Sequence, residues 1–168
     1  MGTHYALSLC LTLGSVFCYA GNPYEDVAVR TRIEEGYRND MYIGPQGKYL
    51  VGIGYNIQDL GLPDEIIWDL FKITLDNAWE DSATLPCYSS LDYARQGVLA
   101  AMTFQMGIAK VRGFKDMFNA LCAHDYDKAA EAMLDSVWAR QTPGRATREA
   151  NIMRTGIVPE LRLPTKGE

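Results

Sequence analysis

The feature that most limits what this chain can build is a glutamate, Glu35, followed by a run in which glycine recurs at positions 36, 44, 47, 52 and 54. Glycine at that density interrupts helices and suits tight turns. The pieces between the glycines, Met41 to Ile43, Tyr49 to Val51 and Ile53 to Ile57, have β-type composition. Their spacing predicts a small antiparallel ribbon broken by Gly44-Pro45-Gln46-Gly47 and by Gly52 and Gly54. Upstream, Asn22-Pro23 is a helix start, a capping side chain followed by a residue already at helical φ. Val27, Val29, Ile33 and Tyr37 then recur at helical spacing, which predicts a helix running to about Arg38. Glu35 falls in its last turn, where the helix dipole disfavours negative charge.

Beyond the ribbon, Gly61-Leu62-Pro63 opens a long amphipathic helix in which Ile66, Ile67, Leu70, Phe71, Thr74 and Ala78 share a face. Such a helix suits the joining of a β-containing lobe to a helical one. From Ser89 onward the pattern is helical throughout. Leu91 to Met106 is apolar nearly all round at Val98 to Phe104 and is predicted as the buried central helix. Gly107 ends it, and Gly113-Phe114 begins another helix through about Ala123. Asp125 caps Tyr126 to Leu134, and Thr142-Pro143 opens a last helix closed by Gly156. The expected organisation is a leader over residues 1–20, a folded domain over 21–156, and a tail over 157–168 with two prolines.

Composition narrows the function classes. With 168 residues the chain can form one domain with a core, or a core with a small subdomain. Hydrophobic residues at 48% and charged ones at 22% exclude a chain that is disordered or fibrous as a whole. A net charge of -5 without a Lys/Arg stripe argues against nucleic acid as a partner. His4 and His124 lack metal-ligand spacing, so no metal site and no cofactor is expected.

Residues 6–17 form an apolar run too short to span a bilayer comfortably, and Ala20 follows at a plausible cleavage point. A secretory signal peptide is the leading reading, although Lys and Arg are missing ahead of the run. An uncleaved anchor that brings residues 6–17 to a membrane is the other. Cys10 and Cys18 lie in this leader, and Cys87 and Cys122 in the body. Export would allow the latter two to pair. Two separate thiols are nevertheless expected, because a chain of this length needs no staple.

Several anchors occur in one order: Glu35-Gly36, Tyr42, Gly47, Gly52-Ile53-Gly54, Thr103-Phe104-Gln105-Met106-Gly107, Gly113-Phe114, Trp138, Gln141-Thr142-Pro143, Arg145-Ala146, Arg148 and Arg154-Thr155-Gly156. Taken together, over about residues 24–156, they resemble the phage-type lysozymes. The resemblance implies an α+β fold of two lobes, a small β-ribbon lobe and a larger helical lobe joined by a long helix, with a peptidoglycan-binding cleft. It also implies that Glu35 is the general acid, that Arg145 pairs with it and orients it, and that Gln105 and Gly107 touch sugar rings. Active members hold an aspartate or a cysteine at the position of Gly44 and a threonine at that of Leu50. A position often held by histidine or another polar residue is Tyr55. Gly44, Leu50 and Tyr55 are therefore degenerate positions, and the neighbouring anchors match without insertion, so no shift of register recovers an acid.

Glycosidic hydrolysis normally needs an acid for the leaving oxygen and a second group that manages the nucleophile. Loss of the second group costs about 10²–10⁴-fold, the usual contribution of a positioned acid or base. With Glu35 alone, the substrate's own acetamido group or 6-hydroxyl could close onto the anomeric carbon, as in a lytic transglycosylase. Each residue also has a plainer reading. Glu35 could be kept as an ion pair with Arg145, Asp40 and Asp59 as surface charges, Gly52 and Gly54 as backbone devices. Gln105 could cap a buried backbone group, and Trp68, Trp79 and Trp138 could serve packing.

Three functions follow. The first is a lysozyme-like protein that has lost muramidase activity and acts as a peptidoglycan-binding or structural component, in a virion or its tail. The second is an active murein glycosidase, a lysozyme or a lytic transglycosylase. The third is an exported regulator or immunity-type protein. The corresponding partners are peptidoglycan glycan strands or phage structural proteins. The corresponding locations are periplasmic, virion-associated, or membrane-anchored through an uncleaved leader.

Overall fold

The computed structural model describes residues 23–160. The leader readings at residues 1–20 and most of the tail lie outside the described residues. The architecture is α+β, mostly helical with one three-stranded antiparallel sheet in the order β1-β2-β3. The described residues fall into two units that divide between Leu62 and Pro63.

The first unit begins with α1 (Pro23–Glu35). It ends three residues before the predicted stop because Gly36 takes φ +76, while its N–H still closes onto the Arg32 carbonyl at 3.1 Å. The expected apolar face does not form a core, and Val27, Val29 and Ile33 are exposed. At 100° per residue Val27 points away from Val29 and Ile33, so the three make no single stripe. The ribbon follows as β1 (Arg38–Ile43), β2 (Tyr49–Gly52) and β3 (Tyr55–Asn56). Tyr42 pairs with Leu50, Ile43 with Tyr49, and Leu50 with Asn56. The turn between β1 and β2 is closed by Gly47 N–H to Gly44 O at 2.9 Å and Gly44 N–H to Lys48 O at 2.9 Å. The predicted third strand is cut short, since residues from Ile57 onward form a turn of helix, α2 (Ile57–Leu60). Asn56 causes this, because its side chain accepts from Asp59 N–H and caps the turn.

The second unit is all helical: α3 (Asp64–Ser82), α4 (Tyr93–Met106), α5 (Ile108–Val111), α6 (Lys115–Cys122), α7 (Tyr126–Leu134), α8 (Val137–Gln141) and α9 (Pro143–Thr155). The central helix is α4, as its composition predicts. Val98, Leu99 and Met102 are buried against Val111, Met117, Leu121, Met133 and Met153. Asp92, Asp125 and Ser136 each cap the helix that follows with a side-chain oxygen. α3 lies along α4 through edge-on contact of Phe71 with Phe104 at 5.6 Å and a tilted contact of Trp79 with Tyr93 at 5.3 Å.

Two ties hold this unit besides its core. Cys87 and Cys122 form a disulfide with Cα atoms 5.4 Å apart, which overturns the expectation of separate thiols. Cys87 reaches its partner from a left-handed backbone, φ 59, just ahead of a 3-10 turn, Tyr88–Ser90. The second tie is Arg95, buried on α4. Its guanidinium donates to the carbonyls of Met153 at 2.7 Å and Arg154 at 2.9 Å, pairs with Asp92, and stacks on Tyr126 at 3.6 Å. One side chain thus joins α4, α7 and the end of α9.

Candidate functional site

In the first unit the site is built on the last residue of α1 and the ribbon beside it. Glu35 is exposed, and its Oε2 lies 3.8 Å from the place a Cβ on Gly54 would take. Gly54 sits at φ +76 between β2 and β3, a conformation that glycine adopts freely. The carboxylate therefore stands next to bare backbone. Tyr42, Gly44 and Leu50 share one face of the ribbon, since Tyr42 is directly opposite Leu50 and Gly44 is diagonal to it.

At that diagonal the geometry is tight. A Cβ on Gly44 would stand 2.5 Å from Leu50 Cδ1, 3.2 Å from Leu50 Cγ and 3.7 Å from the Lys48 carbonyl oxygen. Gly44 does not have a positive φ, unlike Gly47, Gly52 and Gly54 at +73, +66 and +76. Its backbone does not call for glycine; the Leu50 side chain, as it lies, occupies the space a side chain there would take. Tyr55 is turned to structure, its hydroxyl donating to the Gly61 carbonyl at 2.7 Å.

Neither spare acid of the sequence sits as a free proton donor in a pocket. Asp40 is exposed on β1. Asp59 accepts from Lys48 Nζ at 3.0 Å and from Asn56 Nδ2 at 2.9 Å. These bonds, that from Lys48 foremost, hold its carboxyl below the usual range, so it stays ionised.

In the second unit, Gln105 accepts a hydrogen bond from the Trp138 indole at 2.9 Å. Its side chain thus links α4 to α8. Gly107 is exposed at φ +82, and its N–H donates to Thr103 O at 2.8 Å at the end of α4. Just beyond, Met106, Lys110, Phe114, Trp138 and Gln141 line a pocket of about 520 Å³. Trp138 is buried, with its ring edge-on to Phe114 at 6.2 Å, whereas Trp68 is exposed on α3.

Arg145 is exposed in the first turn of α9. One turn further on is Glu149, which sequence reasoning passed over. Burial pushes its carboxyl above the ordinary glutamate range, against the pull of Arg145 and Arg148. The only sequence signal was its place four residues after an arginine on one helix face. Among the described residues no cluster of His, Cys, Asp and Glu could hold a metal ion. No described helix is long and apolar enough to cross a membrane.

No protein-family model matches the chain. It is 31% identical to the pre-baseplate central spike protein Gp5 of Enterobacteria phage T4, over 86% of this chain and 30% of that protein. The chain thus spans under a third of that relative's length. It is 27% identical to probable T4-type lysozyme 2 of Dictyostelium discoideum, over 78% of this chain and 95% of that protein. Against probable T4-type lysozyme 1 of the same organism the identity is 26%, over 76% and 92% of the two chains. Together with the α+β architecture and the ordered anchors from Glu35 to Gly156, these similarities support a phage-type lysozyme relationship: the chain is similar to T4-type lysozymes over most of its length.

Proposed function

We propose that this chain is a phage-type lysozyme domain that has lost muramidase chemistry and serves as a peptidoglycan-binding or structural component, associated with a virion or its tail. The observation that carries the reading is the Gly44 and Leu50 pair. Glycine supplies no side chain, and leucine supplies neither a proton acceptor nor a hydrogen bond for water. The space beside Gly44 is filled by hydrocarbon. A hydrolysing glycosidase normally needs a second group that handles the nucleophile. Similarity to a central spike protein supports the virion setting. The Cys87–Cys122 bond supports a life in an oxidising place, in keeping with an exported or particle-borne chain.

In this reading Glu35 persists as the remnant of the ancestral acid, and Gln105 and Gly107 as residues that meet glycan. The fold alone does not fix the function, so the site must be tested. Wild-type protein is incubated with insoluble peptidoglycan; bound protein is measured in the pellet and soluble glycan in the supernatant. Binding without release is expected. Release that disappears in Glu35→Gln would contradict the reading.

One observation favours a second reading, in which Glu35 works alone as a lytic transglycosylase. Glu35 is kept, exposed and unobstructed beside Gly54. Products ending in an anhydro sugar would identify it.

A further inference from the structure

We propose that the Cys87–Cys122 bond is a site of thiol–disulfide exchange: an incoming thiol enters at Cys122, Cys87 leaves, and residues 86–90 open while the helical unit stays folded. The site lies wholly in the second unit and goes beyond the glycan chemistry, so neither reading depends on the other.

Access sets the point of entry. Cys122 is exposed at the C-terminal end of α6, whereas Cys87 is half-buried in the connection between α3 and α4. A thiolate reaches the more open sulfur faster. The helix acts in the same direction. A negative charge left on Cys122 would face the carbonyl end of α6, which disfavours it, so Cys122 is the poorer leaving group. Attack on Cys122 puts the charge on Cys87 instead. The incoming sulfur bonds to Cys122 Sγ, and the Cys122–Cys87 bond breaks with its electron pair on Cys87 Sγ, which takes a proton from water. With a dithiol as reductant, the second thiolate attacks the first sulfur, closes the reagent's own disulfide and releases Cys122 as a thiolate that is protonated in turn. Two electrons thus pass from the dithiol to the cysteine pair.

Two features of the tied connection favour its opening. Cys87 holds φ 59, a conformation that costs a non-glycine residue and that it can leave once the bond is cut. Its neighbour Tyr88 buries its hydroxyl with no protein partner, and opening returns that group to water. Against these, opening gives up one 3-10 turn and a long bond, 3.3 Å, from Gln96 to the Tyr88 carbonyl. Anchors on both sides confine the movement. Leu85 and Leu91 are buried in the core, the Thr84 hydroxyl accepts from Arg112 at 2.9 Å, and the Leu91 carbonyl accepts from Gln96 at 3.0 Å. Between them Pro86, Ser89 and Ser90 are already exposed.

The test uses the full chain, purified under oxidising conditions and mixed with a small monothiol in native buffer. Early samples are quenched in acid and digested, and the adducts are located by peptide mass, which keeps Cys10 and Cys18 apart. The adduct on Cys122 is expected to exceed that on Cys87 by about tenfold or more, at a rate proportional to thiol concentration. After reduction by a dithiol, amide hydrogen exchange is expected to rise over residues 86–90 and to stay unchanged within α4 and α7. Adducts shared equally, or favouring Cys87, overturn the point of entry. A rate that levels off at the rate of unfolding, or exchange that rises throughout the unit, overturns the local opening. Recovery of all four cysteines as free thiols removes the bond and the proposal with it.

Discussion

Glu35 and Gly54 meet across the junction of α1 and the ribbon, the carboxylate oxygen 3.8 Å from where a Gly54 Cβ would be. That distance is ordinary van der Waals contact, so a methyl group fits, but the backbone at φ +76 resists it. Gly54→Ala is expected to lower stability by about 1–2 kcal/mol through the left-handed conformation. Urea titration followed by a probe on the ribbon checks this. Unchanged stability would mean that the β2 to β3 junction relaxes.

The helical unit has its own obligatory glycine. Gly156 ends α9 at φ +69, and a Cβ there would stand 2.6 Å from Arg95 Nη1 and 3.2 Å from Cζ. Arg95 cannot give way easily, since it is buried and bonded to the Met153 and Arg154 carbonyls. Gly156→Ala is expected to cost about 2 kcal/mol or more, combining backbone strain with overpacking. The denaturation midpoint of the helical unit measures it.

The Cys87–Cys122 bond closes 35 residues of sequence separation. Removing it in C87S/C122S is expected to cost about 2–4 kcal/mol, chiefly by freeing the unfolded chain. Thermal melts of the variant, and of wild type with and without reductant, report the change. Equal midpoints in all three would show that the bond contributes nothing.

Glu149 gives a pH signature of defined sign. Its carboxyl is raised by burial, so the folded state holds the proton more firmly than the unfolded chain does. Its stabilising contribution is full below the ordinary glutamate range and is lost as pH rises through the raised value. Glu149→Gln removes that loss. The variant is therefore expected to melt higher than wild type at neutral pH and with little difference in acid. Asp59 and Asp92 act in the opposite sense. Asp59 is lowered by its bonds to Lys48 and Asn56. Asp92 is lowered by hydrogen bonds from Arg95 that outweigh the opposing effect of burial. Their contribution is present above the ordinary aspartate range and lost as pH falls through the lowered values.

The long elements were legible wherever a chemical signal marked an end. Asp125 and the Thr142-Pro143 to Gly156 frame gave α7 and α9 at their observed limits. The helices α5 and α8, of four and five residues, are too short to show a period and went unread. Ile57 was read as strand because the cap at Asn56 is a side-chain bond, which alternation does not reveal. In the site, the resemblance to the phage-type lysozymes brought out Glu35, Gly44 and Leu50. Their spatial relation was not legible, because the contact of Gly44 with Leu50 depends on strand pairing and on one leucine rotamer. Nor could 35 residues of separation say whether two cysteines meet.

The proposed function is that the chain no longer cleaves glycan. It is tested most directly by the release of soluble glycan from purified peptidoglycan by wild type and by Glu35→Gln, side by side. Both are expected to match the buffer blank while the wild type still sediments with the polymer. Release by the wild type above blank, lost in Glu35→Gln, would contradict it.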